Sequence, residues 1–263
     1  MKKRAAFTLV ELSIVLVILG LLVGGVLSGQ SLIRAAELRS VTTEKDRFAT
    51  ALYAFRDKYM ALPGDMPNAF AFWGATCGTD DTAANDPENA CNGNGNGIIR
   101  SWPDDENEHL LVWEHLSRAG LIEGSFDGTG TLVSGALQMT ATNIPASKIN
   151  GMYWGLNTEP CEGCGIIVNG VSMSRMHRML ALGSLTAAWT LEPNHVGPST
   201  LTNSEAWNLD KKLDDGRSES GKMLAFNANG NCDDIDVNAD PDAYSLSDSA
   251  DIALQCIPRF VLD

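Results

Sequence analysis

An apolar run near the N-terminus constrains this chain more than any other feature of its sequence. The run extends from Phe7 to Leu27, and its 21 residues include one charged side chain, Glu11. As a helix, a run of this length spans about 30 Å, the thickness of the hydrocarbon core of a bilayer. A carboxylate inside such a span is costly, so it indicates a function and requires a partner that neutralises it.

Three cations, Lys2, Lys3 and Arg4, precede the apolar run, and this arrangement allows three interpretations. An ordinary secretory signal has a shorter apolar core followed by a small-residue cleavage site, so the run is too long for one. A plain membrane anchor has the right length, but it does not account for Glu11. In the third interpretation the chain is cut before the run, which then remains in the mature protein.

The N-terminal sequence KKRAAFTLVEL resembles the leader and processing site of type IV prepilins and pseudopilins. The resemblance implies that a prepilin peptidase cuts the bond between Ala6 and Phe7, and that the new amino group of Phe7 is methylated. Glu11 matches the acid of the family motif. The family usually has glycine before the cut, where this chain has Ala6.

Processing of this kind would place the free amino group of Phe7, a cation, one helical turn from Glu11. That amine, or the Phe7 amine of a neighbouring subunit, would neutralise the acid, and pairing between subunits would set the axial register of assembly. The implied partners are other pilin or pseudopilin subunits, the prepilin peptidase and an inner-membrane assembly platform. The implied location is the bacterial inner membrane, in a single pass with the head in the periplasm, and then a filament that can reach the cell surface.

The apolar run continues without a helix breaker into an amphipathic stretch over residues 30–60. Its apolar side chains recur at helical spacings, with Lys45 in the missing turn: Leu38, Val41, Phe48, Leu52, Phe55 and Tyr59. The pattern predicts one helix over about residues 7–60, whose second half packs on a sheet or another helix. Pro63 and Gly64 are expected to end it.

The expected fold class is α+β and type IV pilin-like, with a small antiparallel sheet in a globular head. The expected divisions are a leader (1–6), a transmembrane and filament-core helix (7–29), its amphipathic continuation (30–62) and an extracytoplasmic head (63–263). Within the head, local patterns predict helices at 69–73, 109–119 (ended by Gly120), 174–188 and after an N-cap at Ser204. Strands are predicted at 131–139, 152–156, 165–171, 222–227 and 257–262.

The chain has six cysteines, an even number that indicates disulfides in an oxidising compartment. Because short loops close at a lower entropic cost, the favoured pairs are Cys77–Cys91, Cys161–Cys164 and Cys232–Cys256. The alternatives are another pairing, buried free thiols, or a redox CxxC at Cys161 and Cys164. In the family that the N-terminus resembles, a disulfide such as the last pair often bounds a surface loop used for contacts.

Two loops place oxygen-bearing side chains at alternate positions, as calcium loops do. The first has Asn92, Asn94 and Asn96 followed by Gly97, with Asp105 as the closing acid because Pro103 stands where that acid belongs. The second has Asp234, Asp236, Asn238 and Asp240. The alternatives to Ca²⁺ binding are a Gly/Asn-rich turn in the first case and a solvated acidic loop in the second.

Charge is distributed unevenly along the chain, whose net charge is −14. Residues 30–60 contain six basic and four acidic side chains, whereas residues 64–263 contain ten basic and 28 acidic ones, a net charge of −18. An acidic body repels phosphate backbones, which argues against nucleic-acid binding.

Function is expected to be structural, because the sequence shows no nucleophile–base pair and its four histidines are scattered. No catalytic residue is therefore predicted. The leading expectation is a structural subunit of a type IV pilus or of a type II secretion pseudopilus. The alternative is a membrane-anchored or exported extracytoplasmic binding domain with an ordinary signal or anchor segment.

Overall fold

A computed structural model describes residues 9–77, 91–99, 108–128, 131–133, 136–138, 142–157, 167–168, 171–172, 179–184, 201–218, 220–226, 232 and 256–262. The helices are α1 (Leu9–Tyr59), α2 (Ala69–Trp73), a 3₁₀ turn (Gly74–Thr76), α3 (Glu108–Arg118) and α4 (Asn203–Leu213). The strands are β1 (Thr131–Val133), β2 (Ala136–Gln138), β3 (Met152–Asn157), β4 (Ile167–Val168), β5 (Val171–Ser172), β6 (Met179–Ser184), β7 (Met223–Phe226) and β8 (Ile257–Val261). The long N-terminal helix and the antiparallel sheet confirm the expected α+β, pilin-like fold class.

Helix α1 has 51 residues and is therefore about 77 Å long. Within the described residues it is the one helix long and apolar enough to cross a membrane. Its second half packs on the head through buried side chains three and four residues apart: Val41, Glu44, Phe48, Ala51, Leu52 and Phe55. The helix ends at Tyr59, and Met60 has a φ of 55°, so the chain turns shortly before Pro63.

The main sheet has the order β3-β6-β8-β7, and all its neighbours are antiparallel. Leu180 in β6 is opposite Leu156 of β3 on one side and Phe260 of β8 on the other. Strands β1 and β2 form a separate two-stranded sheet, as do β4 and β5. The strands predicted at 131–139 and 165–171 are therefore two hairpins, whereas β3, β7 and β8 form where the sequence predicted single strands.

The helix predicted over residues 174–188 is wrong, because Met179–Ser184 forms β6. Met176, Met179 and Leu182 have the spacing of a helical face, which misled the interpretation. In the fold this segment is hydrogen-bonded on both sides, to β3 and β8, and neither partner is its neighbour in sequence. Tertiary pairing therefore overrides the local pattern.

One aromatic core joins α1, α3 and the sheet. The ring of Phe48 lies 5.1 Å from that of Trp113 and 5.7 Å from that of Trp154, both in edge contacts. Trp154 in turn lies 5.8 Å from Phe260 in β8. Because Phe48, Trp113 and Trp154 are at most 1% exposed, the head packs directly on the second half of α1.

The ends of α3 and α4 are set by local sequence. Gly120 has a φ of 71°, and the N–H groups of Gly120 and Leu121 donate to the carbonyls of Ser117 and Leu116, so α3 ends in a Schellman motif as Gly120 predicted. The N-cap of α4 is Thr202, not Ser204 as expected. Thr202 and Glu205 form a capping box, the T-x-x-E signature that the sequence interpretation overlooked.

Candidate functional site

The first half of α1 has an apolar surface that the rest of the described chain does not cover. We call residues 9–33 the apolar segment. Its large side chains are exposed along the whole length, from Leu9 (86% exposed) to Ile33 (62% exposed). An apolar surface of this extent is stable only in a bilayer or against other apolar helices.

Glu11 is the one charged residue in the apolar segment. It lies near the start of α1 and its side chain is exposed. Ala6 and Phe7, which precede it in the predicted processing site, lie outside the described residues. The acid is thus exposed at one end of the apolar segment, where a neighbouring chain can reach it.

Four glycines of the apolar segment have no packing role within the described chain. A Cβ atom added to Gly20, Gly24, Gly25 or Gly29 would meet no atom within 4 Å. Glycine in a helix costs up to about 1 kcal/mol relative to alanine, but it allows another helix to approach closely. The glycines therefore leave room for another helix, from outside the described chain, to pack closely against α1.

An ion pair fastens α1 to the head just beyond the apolar segment. Arg34 donates from Nε to Glu205 Oε1 at 2.6 Å and from Nη2 to Oε2 at 2.8 Å, and it also pairs with Glu37 at 3.2 Å. The hydrogen bonds to Glu205 are the main reason that the pKa of Arg34 lies above its usual value. Glu205 also belongs to the capping box of α4. Its carboxylate therefore both caps the N-terminus of α4 and pairs with Arg34 of α1.

A buried acid, Glu44, makes the next connection between α1 and the head. Its carboxylate is 5% exposed and accepts hydrogen bonds from Ser147 Oγ (2.7 Å), the backbone N–H of Lys148 (3.0 Å) and the indole N–H of Trp154 (2.7 Å). The sequence analysis placed Lys45 in this turn of the apolar stripe, which is wrong. Glu44 is three residues after Val41 and four before Phe48, so its position was the signal for burial.

A buried histidine that sequence reasoning did not assign, His115, packs against the far end of α1 and holds the turn that follows it. His115 Nδ1 accepts from the backbone N–H of Gly64 at 2.9 Å, and its Nε2 lies 2.9 Å from the carbonyl of Cys91. These partners indicate a neutral ring with its proton on Nε2. Burial is the main reason that the pKa of His115 is lowered to about 4; the Cys91 carbonyl opposes this shift, and the charge of Arg118 adds slightly to it.

The turn after α1 requires glycine at position 64. Its φ is 88°, and a Cβ there would lie 2.4 Å from the carbonyl oxygen of Glu108 and 2.7 Å from a methyl carbon of Val112. The turn after α1 therefore presses directly onto α3. The His115 ring, stacked on Phe55 at 6.1 Å, fills the space between the two helices.

Residues 1–27 match the family of the prokaryotic N-terminal methylation motif. No curated protein and no solved structure matches the chain. The methylation motif covers the predicted processing site, Glu11 and most of the apolar segment, and it supports a processed, type IV pilin- or pseudopilin-like protein. Families with this motif are structural rather than catalytic, assemble after processing by a peptidase, and are anchored by an apolar N-terminal helix.

Beyond the methylation motif, the structure joins Cys77 to Cys91 and Cys232 to Cys256 in disulfides. These are two of the three pairs that loop length favoured. Cys161 and Cys164 lie outside the described residues. All four described cysteines are buried, and the carbonyl of Cys91 is the group that His115 holds.

The first calcium candidate forms a loop held by acids that the sequence analysis did not assign. Side-chain oxygens of the three asparagines accept backbone N–H groups: Asn92 from Phe70, Asn94 from Asn96 and Asn96 from Ile98. The buried carboxylates of Asp65 and Glu108 accept from the N–H groups of Gly97 and Asn94, both at 2.9 Å. These contacts are those of a Gly/Asn-rich turn, and Ca²⁺ binding there stays a prediction.

The remaining metal candidates, Asp105 in the first loop and the second loop's Asp234, Asp236, Asn238 and Asp240, lie outside the described residues. Within the described part of the chain, Asp210, Asp214 and Asp215 come close together at the end of α4. Asp214 accepts from the N–H groups of Lys222 and Met223, and Asp215 from that of Arg217. These two acids thus close the turn that leads into β7.

Proposed function

We propose that this protein is a structural subunit of a type IV pilus or of a type II secretion pseudopilus, assembled through α1. The observation that carries the proposal is the bare apolar segment, most of which lies within the methylation motif and which has one acid, Glu11. Before assembly the bilayer would cover this surface, and in a filament the helices of other subunits would do so. No reaction is assigned to the chain, whose role is to pack.

Prepilin peptidase would cut between Ala6 and Phe7 and leave a methylated amino group on Phe7. In the filament, Glu11 would pair with the Phe7 amine of a neighbouring subunit. A charge left without its partner in a low-dielectric core is costly. The pair between Glu11 and the Phe7 amine therefore favours the one axial register in which the two groups meet. The chain would be divided into a leader (1–6), a membrane and filament-core helix (7–29), its continuation (30–62) and a periplasmic head (63–263).

Mass spectrometry of the mature N-terminus tests the processing step. The proposal predicts a chain that begins with a methylated Phe7. A mature chain that begins near residue 29 would instead support an exported binding domain with an ordinary signal peptide, and would contradict the proposal. Ala6→Gly, which restores the usual residue of the family, is expected to be cut at least as fast as the wild type.

Incorporation of Glu11→Val into filaments tests the assembly step. The variant should insert into the membrane normally, because it removes a charge from the apolar segment, yet it should be depleted from filaments. Asp57→Asn, an exposed acid at the other end of α1, is the matched control and should be incorporated normally. Normal incorporation of Glu11→Val would remove the proposed role of Glu11. Loss of surface pili or of protein secretion on deletion of the subunit distinguishes the two systems.

A further inference from the structure

The exposed surface of the second half of α1 carries three cations that the head does not cover. Arg39, Arg47 and Lys58 are exposed and follow one another at eight and eleven residues, close to two and three helical turns. Arg39 lies opposite the buried Phe48, whereas Arg47 and Lys58 lie close together in angle beside the buried stripe, so the three share an arc of about 100°. The three, which we call the basic face, span about 28 Å along the helix.

The basic face is not ion-paired within the described part of the subunit, although an exposed acid, Asp57, is next to Lys58 in the helix. Among the described residues, none of its three cations forms an ion pair. Arg47 and Lys58 lie instead over the rings of the adjacent Phe48 and Tyr59, at 4.8 and 4.9 Å. The acid beside Arg47, Asp46, pairs with Lys45 at 2.8 Å.

The rest of the subunit has the opposite charge. Residues 64–263 carry a net charge of −18, so every copy presents an acidic head and a basic helix face. The basic face also continues the same helix as the apolar segment, which in the proposed filament lies against neighbouring helices. Packing of the apolar segments therefore brings the heads of adjacent copies alongside one another, where opposite charges attract.

We propose that the basic face of one subunit docks on the acidic head of a second copy of this chain. This inference rests on the proposed filament function. It adds a polar contact between neighbouring subunits to the apolar contact between their helices. The apolar segment supplies most of the association energy, and the charge contact selects which side of a neighbouring head meets α1. Nucleic acid is the less favoured occupant, because the acidic head repels a polyanion before the helix face is reached.

Carbodiimide cross-linking of intact wild-type filaments tests the proposal without altering the charge. The reagent joins a lysine amine directly to a carboxylate in contact with it, and a link between copies appears as a dimer on a denaturing gel. Mass spectrometry should place Lys58 in such a link with an acid of residues 64–263. Lys58→Arg keeps the charge but removes the amine, and should abolish that link. Lys212→Arg, in which the changed residue is an exposed lysine of α4, should leave it intact.

Charge variants of the full chain give an independent readout. Arg47→Gln should reduce incorporation into filaments about two- to fivefold, and Arg47→Glu should reduce it further, since a like charge then faces the acidic head. Lys212→Glu makes the same reversal away from the basic face and should leave incorporation unchanged. Thermal unfolding of each variant in detergent shows whether a loss of incorporation reflects misfolding.

Two results would overturn the inference while leaving the filament function intact. One is wild-type filaments without any Lys58 link between copies, together with normal incorporation of Arg47→Glu. The other is normal assembly of Arg47→Gln filaments that no longer sediment with duplex DNA, which would assign the basic face to nucleic acid. A mature chain without Phe7 at its N-terminus, and without filaments, would refute the proposed function itself.

Discussion

The carboxylate of Glu44 in α1 accepts a hydrogen bond of 2.7 Å from the indole N–H of Trp154 in β3. The two residues are 110 positions apart in the chain, and both are buried. The same carboxylate holds Ser147 and Lys148, so a single acid connects the helix to the loop before β3 and to the sheet. The contact thus couples the position of α1 to that of the sheet.

Glu44→Leu should lower the free energy of unfolding by about 2–4 kcal/mol, because it leaves the buried indole N–H of Trp154 and the backbone N–H of Lys148 without their acceptor. Chemical denaturation of the full chain in detergent measures the change. Asp57→Asn alters an exposed acid of the same helix and should change stability by less than about 0.5 kcal/mol. Equal stability of Glu44→Leu and wild type would show that the connection is not important for the fold.

The Arg34–Glu205 pair should show a measurable coupling in a double-mutant cycle of Arg34→Gln and Glu205→Gln. The pair is bidentate but partly exposed, with side-chain exposures of 32% and 19%, so we expect a coupling of about 1 kcal/mol that weakens in high salt. The Lys45–Asp46 pair, whose acid is 62% exposed, provides the comparison and should couple by nearly zero. Additive effects of the two Arg34 and Glu205 substitutions would argue against this contact.

His115 should make the stability of the head depend on pH. Its pKa is about 4 in the folded protein and 6.5 in the unfolded chain, so the unfolded state binds the proton more readily. The stability is fully present above pH 6.5 and is lost as the pH falls towards 4, by about 3 kcal/mol in total.

The matched variant for this prediction is His115→Gln, which cannot titrate. Its free energy of unfolding should lie below that of wild type at pH 7, and the gap should narrow between pH 6.5 and 4. Denaturation curves over that range provide the measurement. Curves that stay parallel would mean that His115 does not control the pH dependence.

Removal of the Cys77–Cys91 disulfide, by Cys77→Ala together with Cys91→Ala, should lower the free energy of unfolding by about 3 kcal/mol. The bond closes a short loop, with a sequence separation of 14, and much of its effect comes from restricting the unfolded chain. The denaturation midpoint should fall accordingly. The corresponding change at Cys232 and Cys256, whose separation is 24, should lower the free energy of unfolding slightly more. An unchanged denaturation midpoint in either variant would exclude a structural role for that bond.

The sequence was informative where local pattern decides structure. The spacing from Leu38 to Tyr59 predicted the packed half of α1, and Gly120 predicted the end of α3, because both depend on residues within one or two turns. The capping box of Thr202 and Glu205 was equally readable, since T-x-x-E is a local signature. The short loops between cysteines likewise favoured two pairs that the structure contains.

The sequence was uninformative where a distant partner decides. Met179–Ser184 becomes a strand because β8, almost 80 residues later, lies beside it. Burial of Glu44 requires Trp154, and the neutral state of His115 requires Gly64 and Cys91. A pattern of hydrophobic spacing contains no information about which acceptor a remote indole or amide will meet.

The position of β8 has a consequence for how the head is made. Residues 257–261 lie between β6 and β7 rather than at an edge of the sheet, and Tyr53 of α1 donates to the carbonyl of Leu262 just beyond them. Before residues 257–261 are in place, α1 and the hairpins can form, but β6 and β7 lack the strand that lies between them. An incomplete chain would therefore expose unpaired strand edges to proteases, so under the proposed function only finished heads would survive to be assembled.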